Sequence, residues 1–257
     1  MSEFISSAER QNNIASLIVR QGRVSVAEIV DLFEVSAATA RRDLETLAGQ
    51  GRLERVHGGA ISLKHAPPEL PIMERGQEQR LAKQRIGQAG AALVRDGETV
   101  LLGSGTTVLE VARNLRSRIG LTVITNSLPV LNTLSGLAGI TIIALGGMLR
   151  PSELSFIGHV TEQALAEVRA DKVIIGVHAI SLENGLTNDY MPETLTDRAI
   201  LKAGREVLVV ADHTKVNAVA AAFLAPLSSI QVFVTDDESP ADFLEALRQN
   251  GVRVFSS

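Results

Sequence analysis

Along the first sixty residues, apolar side chains recur at helical spacing in three short runs. Between Ala8 and Val19 they are Ile14, Leu17 and Ile18, and Gln21-Gly22 ends the run. A second run is expected to bury Ile29, Leu32 and Phe33, and a third to turn Ala40, Leu44 and Leu47 inward until Gly49 and Gly51 stop it. Ser25 stands three residues before Glu28, the spacing at which a hydroxyl caps backbone amides while the carboxylate reaches back to the cap residue. Ser36 is placed to cap the third run after a turn at Glu34-Val35. The period then falls to two. Arg52-Leu53-Glu54-Arg55-Val56 alternates as a short strand, and Gly58-Gly59 supplies a turn before Ala60-Ile61. Three short helices with a tight second connection, followed by a hairpin, predict a winged helix-turn-helix over residues 1–61.

Residues 62–77, SLKHAPPELPIMERGQ, hold three prolines and little periodicity, which reads as a connector. From 78 to 257 the pattern is different. Glu78 to Val94 is helical, with Leu81, Ile86, Ala89 and Leu93 expected on its buried side. Short, continuously apolar strands recur at TVLLG, LTVITN, ITIIALG, DKVIIGV, EVLVVAD and IQVFVTD, separated by helical or loop segments. Strands of that kind alternating with helices predict an α/β domain with a largely parallel sheet covered on both faces.

Composition narrows the function classes. At 45% apolar and 21% charged residues the 257-residue chain can bury ordinary cores. It has no cysteine, so disulfides and thiolate metal sites are excluded, and its five histidines fall at no metal-ligand spacing; no metal or cofactor is expected. No segment approaches the ~18 apolar residues of a membrane span, and the first residues, MSEFISSAERQ, lack an export pattern. The expectation is a cytoplasmic protein with no membrane partner.

The net charge of −4 argues against indiscriminate polyanion binding, but its distribution is uneven. Residues 1–35 set Arg10, Arg20 and Arg23 against Glu3, Glu9, Glu28, Asp31 and Glu34, a net −2. Residues 36–64 set Arg41, Arg42, Arg52, Arg55 and Lys64 against Asp43, Glu45 and Glu54, a net +2. In a helix-turn-helix the first turns of the third helix enter the major groove, and here they carry Ser36, Ala37, Thr39, Arg41 and Arg42. Arginine can bond guanine bidentately there, while a threonine or alanine methyl suits thymine. The wing residues Arg52, Arg55 and His57, with Ser25 at the start of the second helix, complete the expected contact set for double-stranded operator DNA. An isolated Arg-Arg pair is usually a solvated face; this one follows a capped turn and precedes a basic hairpin. The stretch VSVAEIVDLFEVSAATARRDLETLAGQGRLERVHGGA resembles the N-terminal signature of the DeoR family of bacterial transcription regulators. Thr39 to Leu44 match its TxRRDL pattern and His57 to Ala60 its HGGA wing.

In open parallel sheets, ligands bind beyond the carboxyl ends of the strands. The clearest such end is GSGTT, Gly103 to Thr107, between a strand and the helical segment Val108 to Leu115. Glycines let the backbone approach, Ser104, Thr106 and Thr107 add hydroxyls, and the helix start supplies free amides, a combination that suits phosphate. It lacks the endings of a P-loop and of a dinucleotide turn, and such a loop is often only a tight turn with a cap. Asn126 and Ser127, Gly146 and Gly147, and Asp212 with Lys215 lie at other strand ends, where each also has a plain capping, turning or solvated reading. These segments too are similar to the DeoR family, in its sensor domain. GTT, LTVITNSL, LGGMLR, GLT, DRAIL and VVADHTK stand here in the family order. The resemblance implies a phosphate-sugar-isomerase-like fold that binds phosphorylated sugars or their derivatives, with Gly105, Thr106 and Thr107 holding phosphate and Lys215 assisting. The sugar is then expected to extend towards His178, Asp189, Glu193 and Arg198. The chain departs from the family at Gly103, His178 and Asp197-Arg198, where other residue types are usual.

A sugar-phosphate isomerase carrying a DNA-binding module is the alternative, with Asp189, Glu193, Asp197 or Asp212 as the base. Spacing alone does not separate a base from a group that bonds sugar hydroxyls. The fused helix-turn-helix favours a ligand-controlled repressor that works as a dimer or tetramer, with no catalytic residue.

Overall fold

The computed structural model describes residues 7–21, 23–49, 53–56, 58–61 and 71–257. The chain divides into two compact units, Met1–Pro67 and Pro68–Ser257.

In the first unit, helices α1 (Ser7–Gln21), α2 (Val26–Phe33) and α3 (Ala37–Gly49) enclose Ile14, Ile18, Ile29, Ala40, Leu44 and Leu47, all buried. Ser25 and Glu28 form the capping box that their spacing predicts: Ser25 Oγ accepts from Glu28 N–H at 3.1 Å, and Glu28 Oε2 accepts from Ser25 N–H at 2.7 Å. Ser36 Oγ accepts from Thr39 N–H at 3.1 Å and starts α3. One expectation fails on α2, where Leu32 is 61% exposed. Ile29 is buried and Phe33 packs half-buried against the same core, which Val24, Leu53 and Ala60 complete. That sheet has a strand the period did not reveal. Strand β1 (Arg23–Ser25) pairs antiparallel with β3 (Gly59–Ile61), which pairs with β2 (Glu54–Val56). At Gly59 the strands approach so closely that a Cβ would stand 2.2 Å from the carbonyl oxygen of Val24.

The second unit centres on a seven-stranded parallel sheet. Its strands are β4 (Thr99–Leu102), β5 (Leu121–Thr125), β6 (Ile140–Ala144), β9 (Ala170–Ile175), β12 (Gly204–Val210), β14 (Val232–Thr235) and β15 (Arg253–Ser256). They lie in the order β15-β14-β12-β9-β4-β5-β6. Successive residues point to opposite faces, which explains the unbroken apolar runs. Val100, Leu102, Ile174, Leu208 and Val210 pack with Ile86, Val108, Val111 and Val130 from α5 (Arg80–Ala92), α6 (Thr106–Asn114) and α7 (Leu128–Leu134). Leu101, Val173, Ile175, Val207 and Phe233 face Leu165, Ile200, Phe243 and Leu247 from α8 (His159–Ala166), α9 (Met191–Lys202) and α10 (Ala241–Gln249).

The buried side of α5 differs from the sequence expectation. Ile86 is buried as expected and Ala89 and Leu93 pack half-buried against the core, but Leu81 is 75% exposed, and Ala82, Lys83, Gly87, Gly90 and Ala91 complete the inward face. Backbone proximity decides it: a Cβ at Gly87 would lie 2.5 Å from Glu110 Cβ on α6, so only a glycine-bearing face can dock there. Two further features have no counterpart in the sequence reading. One is the hairpin of β7 (Met148–Arg150) and β8 (Ser155–Ile157); the other is the antiparallel set β10 (Ala179–Ser181), β11 (Gly185–Asn188) and β13 (Ala222–Ala225). Of the segment read as connector, 62–70 lie outside the described residues. Ile72–Arg75 form a short helix, α4, whose first N–H donates to Ser152 O at 2.8 Å within the second unit. Among the described residues no helix is long and apolar enough to cross a membrane.

Candidate functional site

On the first unit, burial of Ala40, Leu44 and Leu47 turns Arg41 and Arg42 outward, both exposed, beside exposed Ser36 and Ala37 and half-buried Thr39. Arg55 Nη1 on β2 donates to Arg41 O at 3.2 Å and lies 3.4 Å from Glu45 Oε1, which joins the wing to α3. Ser25 is committed to its cap. Arg52 and His57 lie outside the described residues. A simple charge count misses Asp43. It is buried, accepting from Arg10 Nε at 2.7 Å and from Gln11 Nε2 at 2.8 Å, so it is tied back to α1. The exposed arginine pair is therefore not offset by its neighbouring acid.

On the second unit the expected phosphate loop lines a pocket. Gly105, at φ +112°, precedes α6 without any side-chain cap, and this backbone angle is one that glycine adopts without strain. The first α6 amides lack intrahelical partners by construction, and the nearly buried Thr106 and Thr107 that carry them line the pocket. Ser104, His178, Asp189, Glu193 and Lys215 line the same space. Ser104 Oγ donates to Glu193 Oε1 at 3.3 Å; Glu193 also accepts from Ser155 Oγ at 2.6 Å and is paired with Arg150, whose guanidinium lies 4.4 Å from the Tyr190 ring centre.

Six expected site residues are placed elsewhere or act as supports. Asn126 is buried and donates to Phe156 O at 3.0 Å. Ser127 caps α7, its Oγ accepting from Val130 N–H at 3.4 Å. Gly146 O accepts from Thr161 Oγ1 at 2.7 Å, and Gly147 stacks against that same hydroxyl. Arg198 bonds the carbonyl of Phe223 in a separate groove with Leu201, Lys202 and Pro226. Asp212, almost wholly buried, caps the short 3₁₀ turn His213–Lys215 through Thr214 N–H at 3.1 Å and so positions Lys215.

The pocket also contains groups that the sequence reading passed over. These are Arg75, Lys83 and Glu153, all nearly buried, and Asn188, which donates at 2.8 Å to Asp197, the residue weighed above as a candidate base. Arg75 pairs with Glu153, and Lys83 Nζ donates to Arg75 O at 2.9 Å. Burial holds the Lys83 ammonium below the ordinary lysine pKa; nearby Lys215 and Arg75 push the same way, and Asp212 and Glu78 oppose them. One sequence signal pointed to Lys83, a lysine three residues before Ile86 on the face that carries Gly87 and Gly90. Among the described residues no group of three or more His, Asp or Glu is placed to hold a metal ion.

Two family descriptions match the chain: a DeoR-like helix-turn-helix domain over residues 10–66 and a DeoR C-terminal sensor domain over 78–237. The chain belongs to the DeoR family. Its relatives include the transcriptional repressor AccR of Agrobacterium fabrum, 34% identical over 91% of each chain. The glycerol-3-phosphate regulon repressor of Escherichia coli K12 is 33% identical over 97% of this chain and 99% of its own. A solved ribose 5-phosphate isomerase from Plasmodium falciparum is similar at 16% identity over 52% of each chain, with a TM-score of 0.39, a likeness that says nothing of activity. As a DeoR-family member, this protein couples a DNA-binding helix-turn-helix to a sensor domain, and the sensor implies a small-molecule effector.

Proposed function

We propose that this DeoR-family protein represses a carbohydrate-metabolism operon and that a phosphorylated sugar or sugar derivative, bound in the pocket of the second unit, relieves the repression. The observation that carries the reading is one of chemistry at a single place. Free amides at the start of α6, the hydroxyls of Thr106 and Thr107, and the ammonium of Lys215 converge on one space. Together they satisfy the acceptors of a dianion without burying an unpaired charge. The sugar extends towards His178, Asp189 and Glu193, where hydroxyls meet acceptors. Glu193 already accepts from two serines and pairs with Arg150, a fixed hydrogen-bonding wall rather than a base aimed at a substrate carbon. On DNA, Arg41, Arg42, Thr39 and Ala37 read the major groove, and a dimer or tetramer presents two copies of α3 to two half-sites.

The test is a panel of phosphorylated sugars with glycerol 3-phosphate, each beside its dephosphorylated form. Full-length protein bound to operator DNA is followed by fluorescence anisotropy, and thermal unfolding is recorded in parallel. Release of DNA with a raised melting temperature by one phosphorylated compound, but not by its dephosphorylated form, is expected. Equal effects of both forms would remove the phosphate from the reading.

A further inference from the structure

The pocket is fastened to the element that follows the connector. Helix α4 begins on the bond from Ile72 N–H to Ser152 O, 2.8 Å, and ends at Arg75. The Arg75 guanidinium pairs with Glu153, the residue after Ser152, and its carbonyl accepts from Lys83 Nζ at 2.9 Å. Both ends of this one-turn helix are thus held by groups at or beside the pocket wall. Glu153 also stands against the phosphate loop: a Cβ on Gly105 would lie 4.0 Å from its Oε1.

A dianion on the α6 amides therefore arrives beside a carboxylate whose counter-charge is within its own reach. It carries more charge and more acceptor oxygens than Glu153 does, so it attracts the guanidinium and repels the carboxylate together. We infer that the effector's phosphate draws Arg75 away from Glu153 and thereby loosens α4, the element through which the chain passes from the second unit into residues 62–70. This rests on the phosphate reading above and adds to it two roles. Arg75 becomes a ligand-binding residue, and Glu153 an internal anion that holds the arginine until the ligand comes. The same competition sets a threshold. Effector must displace an existing ion pair before α4 responds, so occupancy of the loop and release of α4 are one event.

Amide hydrogen exchange on the full-length protein tests this, with inorganic phosphate as the probe. Phosphate is expected to slow exchange at residues 106–108 and to speed it at least about threefold at Ile72, Arg75 and Gly76. Glu153→Gln is expected to bind inorganic phosphate about fivefold more tightly and to exchange fast at residues 72–76 without it. Protection at 106–108 with unchanged exchange at 72–76, or with unchanged phosphate affinity in Glu153→Gln, overturns this inference and leaves the effector site standing. Absence of protection at 106–108 overturns both. Because the wild-type exchange pattern decides by itself, the outcome does not depend on the variant folding.

Discussion

The two sites proposed to recognise phosphate pose the same electrostatic problem and are built in opposite ways. On α3 the cations Arg41 and Arg42 are exposed, and the acid beside them, Asp43, is tied back to Arg10. In the pocket Arg75 and Lys83 are buried and Lys215 is half-buried, and Arg75 has an acid within contact, Glu153, as Arg150 behind the pocket has Glu193. A polyanion larger than the protein's face is met by a surplus of positive charge that gains by releasing counterions. A small dianion in the proposed pocket would be met by a site already close to neutral, because an unbalanced buried cation would cost the fold too much before any ligand arrived. Exposure of the cation, more than its identity, separates a DNA face from an effector pocket.

Salt gives the largest expected contrast. Raising it from about 50 to about 200 mM should lower operator affinity by on the order of a hundredfold or more, as counterion release requires. Binding of a phosphorylated effector should change by less than about threefold, since buried charges are screened far less. Anisotropy and calorimetric titrations over one salt series give both slopes, and equal slopes would erase the comparison. Arg42→Ala and Arg41→Ala come next. A base-reading arginine should cost about 1–3 kcal/mol at one operator position, whereas a phosphate contact should weaken all sequences alike and flatten the salt slope. Both variants should melt like the wild type, because neither side chain enters the core of Ile14, Leu44 and Leu47. Lys215→Met should reduce effector affinity by about 1.5–3 kcal/mol, the worth of a charged hydrogen bond. Operator affinity in the absence of effector should be unchanged, leaving a repressor that ignores its signal; retained induction in this variant would remove Lys215 from the phosphate site.

The smallest effect is in protons. Lys83 titrates below the ordinary lysine pKa in the folded protein, so over the pH range between its folded and unfolded values the unfolded chain binds more protons. Stability therefore gains from rising pH through that range. Arg75, Glu78, Asp212 and Lys215 surround the ammonium, and a dianion added to them raises its pKa again. Effector binding in alkaline buffer should take up a fraction of a proton, measurable as a dependence of binding enthalpy on buffer ionisation heat. Lys83→Met should abolish it.

How much of this was legible depends on the range of the interaction. The Ser25–Glu28 box, the inward Ala40, Leu44 and Leu47, and the central parallel strands rest on neighbours a few residues apart or on runs of one polarity. The Gly105–Thr107 loop that lines the pocket was visible because its glycine, hydroxyls and helix start are consecutive. The pair of Arg75 with Glu153 spans 78 positions, and nothing local to either residue announces it. Arg75 sits in a proline-bearing stretch that reads as a connector, and Glu153 in a hairpin too short for period analysis. Leu81 and Leu32 were misplaced for a related reason, since apolar spacing cannot tell which face of a helix a neighbouring backbone will approach most closely.

The contact at Gly59 bears on how this regulator can change its target over evolutionary time. With room for no Cβ against Val24 O, the wing is locked to the strand that leads into α2. A substitution there moves both parts of the reading head at once. Drift to a new operator is thereby channelled into the exposed side chains, at positions such as Arg41, Arg42 and Ala37, which can be exchanged one at a time on a frame that stays put. Descendants of this gene should differ in the letters they read far sooner than in the posture with which they read them.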